Sequence, residues 1–293
     1  MSNSITGLGP RHREIQGQTP DGKRHRLCWT EWGDSDNQRI LFCAHGLSRN
    51  GRDFDYLARI AAAHYRVICP DYPGRGRSQW LDDPAHYHNE QYLHDSIAII
   101  EDLGNPRVDW IGTSMGGLIG MTMAVREDSP IEHMVLNDVG AFIPAAALAQ
   151  IGDYLEAYPE FRNEHEAEIY FREVYIGFGR LEDQHYRHMV EHGTRRDAGS
   201  LRLHYDPEIV ASFLAMEPAD VDLWDLWNAL SLPMLVVRGE RSELLLRATL
   251  GDMLRRQPGL DTFEFHDCAH APSLMTEVQI ERVLGWLLER REM

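Results

Sequence analysis

The sequence predicts an α/β protein built on a doubly wound, mostly parallel sheet. Two observations carry that prediction. Short, uninterrupted apolar runs alternate with helix-periodic segments, the pattern of strands buried on both faces between covering helices. Nearly every such run ends in a cluster of Gly, Pro, Asp, Asn or Ser, and the residues with chemical potential fall at those ends, where open α/β sheets place their sites.

Residues 1–23 are polar, contain Gly and Pro, and read as a tail. Arg24–Trp32 alternates enough to be a strand, turns at Gly33–Asn37, and resumes at Arg39–Ala44, which predicts a first hairpin. A helix is expected over Phe54–Ala63 and a buried strand over Tyr65–Cys69. From Gln91 to Leu103 the spacing aligns Leu93, Ile97, Ile100 and Leu103 on one helix face that stops at Gly104. The apolar run Val108–Ile111 leads through a glycine-rich turn into a helical Leu118–Val125, and Ile131–Leu136 makes the next strand.

The pattern changes from residue 141 to 225, where buried strand runs vanish and helical periodicity dominates. That segment holds 7 Lys+Arg against 17 Asp+Glu and reads as an inserted, mainly helical, acidic cap over the strand ends. The core is therefore expected to comprise residues 24–140 and 226–293. Alternation resumes with a strand at Pro233–Val237, a helix over Leu246–Arg256 and a strand at Thr262–Phe265. The last helix opens with Thr276-Glu277-Val278-Gln279, which fits a capping box, and aligns Ile280, Val283, Leu284 and Leu287.

Composition narrows the function. With 29 Lys+Arg against 46 Asp+Glu the net charge is −17, which argues against nucleic acid or an anionic membrane surface as the main partner. No apolar stretch approaches the ~18 residues of a membrane span. Met1–Gln18 lacks the apolar segment of a secretory signal. Cys28, Cys43, Cys69 and Cys268 are widely spaced, three of them in apolar strand-like contexts, and read as buried thiols rather than a disulfide framework. A cytoplasmic location is the expectation.

Gly112-Thr113-Ser114-Met115-Gly116 is a G-x-S-x-G pattern set between a predicted strand and a predicted helix. A serine hydroxyl becomes a useful nucleophile when a strained turn holds it exposed beside a base. Ser114 is therefore expected to attack an acyl carbon. The base is assigned to His270, on the loop after the final strand, since the order serine, acid, histidine suits this architecture. Glu243, in the loop after the strand ending at Val237, is the first candidate for the orienting acid. Asp138, at the end of the preceding strand, is its competitor, otherwise a carboxylate capping the turn into the cap. The backbone amides of Leu47 and Met115 are expected to form an oxyanion hole, with His45-Gly46 a shaped turn rather than a second base. Arg49 and Asn50 are candidates to hold a polar or carboxylate end of the substrate.

Two other patterns invite weaker readings. His188-Met189-Val190-Glu191-His192 matches H-x-x-E-H, yet its place in the charged cap favours a solvated helix face over zinc. Gly177-Phe178-Gly179 lacks a preceding buried strand and reads as a cap turn rather than a phosphate loop.

His45-Gly46, Asp71 through Ser78, Gly112 through Gly117, Gly239 through Glu243, and His270-Ala271-Pro272 together resemble the α/β-hydrolase superfamily. The His45–Phe54 stretch and the Leu136-Asn137-Asp138 strand end are similar to a bacterial group described as carboxylesterases or polyhydroxyalkanoate-depolymerase-like hydrolases. The resemblance implies an α/β-hydrolase fold and a cofactor-free, metal-free serine hydrolase with a carboxylic ester as its small-molecule partner. It implies aspartate where this chain has Glu243, and serine at the elbow sets the chain apart from the dehalogenase and epoxide-hydrolase branches. Two alternatives remain: hydrolytic C–C cleavage of a diketone-like substrate, and a ligand sensor that does not turn over. Oligomeric state is not legible.

Overall fold

The computed structural model describes residues 9–214 and 219–292, so the first eight residues of the expected tail lie outside the described residues. In chain order the elements are β1 (Arg11–Gln18), β2 (Arg24–Trp32), β3 (Ile40–Ala44), α1 (Asp55–Ala61), β4 (Arg66–Asp71), α2 (Asn89–Asp102), β5 (Val108–Thr113), α3 (Met115–Ala124) and β6 (Ile131–Asn137). An insertion follows with β7 (Phe142–Ile143), α4 (Ala145–Glu156), β8 (Glu160–Phe161), α5 (Glu164–Val174), α6 (Asp183–Gly193), β9 (Thr194–Asp197), β10 (Ser200–Leu203), α7 (Pro207–Leu214), β11 (Val221–Asp222) and α8 (Trp224–Ala229). The chain then returns through β12 (Met234–Gly239), α9 (Arg247–Arg256), β13 (Asp261–Phe265) and α10 (Glu277–Glu292).

The main sheet has eight strands in the order β1-β2-β4-β3-β5-β6-β12-β13. β1, β2 and β4 pair antiparallel, and every pairing from β4 to β13 is parallel. This corrects two expectations. Residues 11–18 are a strand, not tail, and the hairpin joins β1 to β2, because β4 lies between β2 and β3. The sequence Arg11-His12-Arg13-Glu14-Ile15-Gln16-Gly17-Gln18 shows no apolar face because β1 is a sheet edge with most side chains in solvent.

Strand polarity explains the core. In β3 all five residues are buried, with Phe42 packing on one face of the sheet and Leu41 and Cys43 on the other. Phe42 stacks on Trp110 of β5 at 4.6 Å between ring centroids, under α3. The opposite face is covered by α1 and α10, where Ile280, Val283, Leu284 and Leu287 are all buried as the helical spacing requires. The capping box is corrected: Gln279 Oε1 accepts from Ser273 Oγ and Leu274 N, each at 2.8 Å, and so shapes the loop before α10.

The insertion is mainly helical, with a three-stranded sheet (β8-β10-β9) and a two-stranded one (β11-β7) that the sequence did not announce. Strands of two to four residues are too short to display a period-two pattern. Its segment between β10 and α7 docks on the core through backbone bonds, Gly76 N to His204 O and Asp206 N to Gly74 O.

The turn from β5 into α3 depends on one close approach. A Cβ built on Gly116 would lie 2.1 Å from the Ala44 carbonyl oxygen of β3, and the Gly116 carbonyl accepts from Trp110 Nε1 at 3.0 Å. We expect Gly116→Ala to destabilise the fold by about 3 kcal/mol, since backbone rather than a movable side chain blocks the methyl. Gly285→Ala, with nothing within 4 Å of its Cβ, should be neutral or stabilise by about 0.5–1 kcal/mol. Urea unfolding of both variants checks the contrast.

Candidate active site

Ser114 sits between β5 and α3 with φ 51 and ψ −114, a conformation that non-glycine residues adopt at a cost. The strain lifts its side chain out of the strand line, and the residue is half-buried at the floor of a cavity. Its backbone N–H is held by Asn137 O of β6 at 3.0 Å.

His270, on the loop after β13, lies with Nε2 3.0 Å from Ser114 Oγ and Nδ1 2.7 Å from Asp138 Oδ2. A carboxylate only accepts, so Nδ1 carries the proton and Nε2 is left to accept the serine O–H. Asp138 stands directly after β6 with φ 59 and is fully buried. Its Oδ1 accepts from Gly239 N at 2.9 Å and its Oδ2 also accepts from Ser242 Oγ at 2.6 Å.

The structure therefore brings Asp138, and not Glu243, to the histidine. Glu243 is exposed, while its neighbour Ser242 turns inward because Ser242 N closes a turn onto Gly239 O at 2.9 Å. Arg238 locks the same loop by donating to Leu245 O, Ser242 O and Glu264. The alternative role for Asp138, capping the turn into the insertion, is not what its side chain does: its partners are Gly239 N at the end of β12, Ser242 Oγ and His270 Nδ1. The sequence left Ser242 unnoticed, since a serine in a polar loop carries no pattern.

Leu47 follows Gly46, whose ideal Cβ would lie 3.9 Å from both Ser114 Cβ and Thr113 O, so this loop abuts the elbow. Among the described residues neither Leu47 N nor Met115 N donates to another protein group. His45 is not a free base: its Nδ1–H donates to Gly46 O at 2.7 Å, and its Nε2 accepts from Tyr72 N at 3.0 Å. Burial, and after it the Arg75 guanidinium, pushes the His45 pKa down to about 3, so the ring is neutral.

The two candidate substrate contacts separate. Arg49 lines the cavity, but its guanidinium is committed to Asp53 (Nε to Oδ2 2.8 Å) and lies over the Tyr175 ring at 4.7 Å. Asn50 is buried and structural: Oδ1 accepts from Arg52 N and Nδ2 donates to His192 O, tying the core to α6. It does not line the cavity.

The cavity has a volume of about 680 Å³. Core residues Leu118, Val139 and Leu244 form one wall, and Leu148, Ile151 and Phe178 of the insertion form the other. The insertion also grips the histidine loop. Gly177 O accepts from Ala269 N at 2.7 Å and Phe178 O from Ser273 N at 3.1 Å, so the Gly177-Phe178-Gly179 turn clamps both sides of His270.

His188 and His192 are half-buried rather than on a solvated face, because α6 packs against the segment before α1. With Asp55 they bring three donor atoms within 4.8 Å of one another. Asp55 already holds the Arg52 guanidinium, with Nε to Oδ2 at 2.8 Å, and His188 Nε2 donates to Arg52 O at 2.9 Å. Among the described residues the four cysteines are buried and free, and no helix is long and apolar enough to cross a membrane.

The sequence profile of the alpha/beta hydrolase family matches residues 40–283. This chain belongs to that family. As an alpha/beta hydrolase it is 40% identical over 280 residues to a 3-hydroxybutyrate-oligomer hydrolase of Cupriavidus necator, covering 92% of this chain and 95% of the relative. It is 24% identical over 263 residues to a pimeloyl-[acyl-carrier protein] methyl ester esterase of Aeromonas salmonicida, 85% of this chain and 94% of the relative. The crystal structure of an alpha/beta hydrolase from Novosphingobium aromaticivorans superposes with a TM-score of 0.84 at 32% identity, covering 97% of this chain and all of that one.

The buried neutral histidine of this alpha/beta hydrolase gives a pH dependence of stability. His45 has a folded pKa below its unfolded value of about 6.5, so its contribution is fully present above 6.5 and is lost as pH falls toward about 3. Its share should amount to about 1.4 kcal/mol for each pH unit below 6.5. Measured by urea unfolding between pH 7 and 4.5, His45→Gln should lose stability less steeply than the wild type.

Proposed function

We propose that this protein is a carboxylic ester hydrolase that works through a covalent acyl-enzyme, with Ser114 as nucleophile, His270 as general base and acid, and Asp138 as the orienting carboxylate. The observation that carries the reading is the continuous chain Ser114 Oγ, His270 Nε2, His270 Nδ1, Asp138 Oδ2 at 3.0 and 2.7 Å on the floor of a largely apolar cavity.

In this mechanism Ser114 Oγ attacks the ester carbonyl carbon while His270 Nε2 takes its proton. The carbonyl oxygen becomes an oxyanion held by the Leu47 and Met115 amides, the second of them at the N-terminus of α3. Collapse breaks the bond to the alcohol oxygen, which leaves with the proton from His270. Water then adds to the acyl carbon with His270 again as base. A second collapse returns the proton to Ser114 and releases the carboxylic acid. Asp138 accepts from Nδ1–H throughout, and Gly239 N and Ser242 Oγ hold Asp138 aimed at the ring by donating to its oxygens.

For substrate we propose short linear hydroxyalkanoate esters, 3-hydroxybutyrate oligomers first among them. The support is the identity to the Cupriavidus necator enzyme along nearly its whole length, and a cavity whose apolar walls suit a methyl-branched aliphatic chain. The insertion acts as a cap that sets the length of chain admitted. Four buried free thiols suit a reducing compartment, and we place the protein in the cytoplasm.

Hydrolysis of 3-hydroxybutyrate dimer to pentamer and of short p-nitrophenyl esters, followed by released acid and by absorbance, tests the proposal. Ser114→Ala should lower kcat by about 10⁴-fold or more and Asp138→Asn by about 10³–10⁴-fold. Glu243→Gln should stay within about twofold of the wild type, as an exposed substitution without a role in the site. Full activity in Asp138→Asn with loss in Glu243→Gln would reverse the assignment of the acid. Steady turnover of oligomers by the wild type would also set aside a sensor that binds without reacting.

A further inference from the structure

Three arginines of the described residues are buried: Arg49, Arg75 and Arg238. Arg49 is paired with Asp53 and Arg238 with Glu264. Arg75 is different. It is wholly inaccessible, and among the described residues no carboxylate oxygen lies within 4.0 Å of its guanidinium. Its partners are neutral: Nε donates to Leu47 O at 2.8 Å, and Nη1 donates to Pro73 O at 2.8 Å and to Tyr92 Oη at 2.7 Å. Nη2 points at Met115 Sδ, 3.9 Å away. The guanidinium also lies over the Tyr92 ring at 4.8 Å from its centroid and near the Tyr87 ring at 5.9 Å.

A buried cation without a direct ion pair is costly, and a fold retains one where something else uses the charge. The position of this one is specific. It touches Leu47 and Met115, the two residues whose free amides are proposed above for the oxyanion, and no other described side chain contacts both through polar atoms. The Arg75 backbone is fixed in turn, bridging to Tyr205 of the insertion.

We infer that Arg75 is a positioning residue for the oxyanion site: it holds the Leu47 carbonyl, and with it the loop that carries the Leu47 amide, and sets beside Leu47 and Met115 a positive charge in no direct ion pair, the nearby buried Asp206 being bonded to Tyr87 Oη instead. This deepens the ester-hydrolase reading and rests on it. A neutral ester gains little from that charge, whereas an oxyanion formed in a low-dielectric pocket gains in proportion to how little water screens the pair. The contribution therefore belongs to kcat and not to KM. It also explains why an arginine is needed: its planar fork serves three acceptors at once while remaining charged, which an ammonium cannot do with the same geometry.

The test compares Arg75→Met and Arg75→Lys with the wild type for kcat and KM on the best ester of the panel, and for inhibition by an alkyl boronic acid, which forms an anionic tetrahedral adduct on the serine. Arg75→Met should lose at least tenfold in kcat, raise the boronate Ki by a similar factor, and leave KM within about twofold. Arg75→Lys should recover part of both losses. Unchanged kcat and Ki in folded Arg75→Met would overturn the inference, as would a rise in KM alone, which would make Arg75 a pocket-shaping residue. Should Arg75→Met not fold, Arg75→Lys decides: kcat and Ki shifting together by threefold or more supports the role, and both unchanged refutes it. Ser114→Ala run alongside separates this from the underlying reading, because turnover surviving that change would remove the serine mechanism whatever Arg75 does.

Discussion

The Asp138 carboxylate is the interaction on which the site depends. A fully buried charge must find donors or unfold the region around it, and here the donors come from the end of β12, from Ser242 and from His270. Those groups lie about a hundred residues or more further along the chain. One electrostatic requirement thus fixes the relative placement of the ends of β6 and β12 and of the loop after β13. The geometry of the histidine is a by-product of satisfying a carboxylate that cannot be solvated.

A second constraint is steric and acts on the other side of Ser114. The contact of Gly116 with Ala44 sets how near α3 comes to β3, and with it how near the loop through Gly46 and Leu47 comes to Ser114. The electrostatic and the steric constraint meet at one residue. Ser114 is held in an unfavourable backbone conformation because the structure on either side leaves it no other. Arg75 nearby is satisfied by two backbone carbonyls and a tyrosine hydroxyl, whereas Arg49 and Arg238 are held by carboxylates.

Much of this could be read from the chain. Continuous apolar runs gave the parallel strands because both faces of those strands are covered, and the elbow was legible because G-x-S-x-G is a local geometry written in consecutive residues. The edge strand β1 was missed because an edge strand has no apolar face to display. The choice between Glu243 and Asp138 turned on a non-local fact: which of two loop carboxylates faces inward depends on a turn closed by Ser242 and Gly239, and a turn of that kind leaves no periodic trace. Asn50 was misread for a related reason. An amide that caps one segment and braces another looks, in sequence, like an amide waiting for a ligand. Arg75 stood inside a stretch quoted for its resemblance, but burial without a direct ion pair is visible only in three dimensions.

The backbone bonds from Gly177 and Phe178 to Ala269 and Ser273 make the histidine loop answer to two parts of the chain. They fasten the insertion to the two flanks of His270, so the placement of the imidazole is set by the insertion as well as by the core. Drift in the path of the insertion is thus coupled to the histidine loop by main-chain bonds that most side-chain changes leave in place.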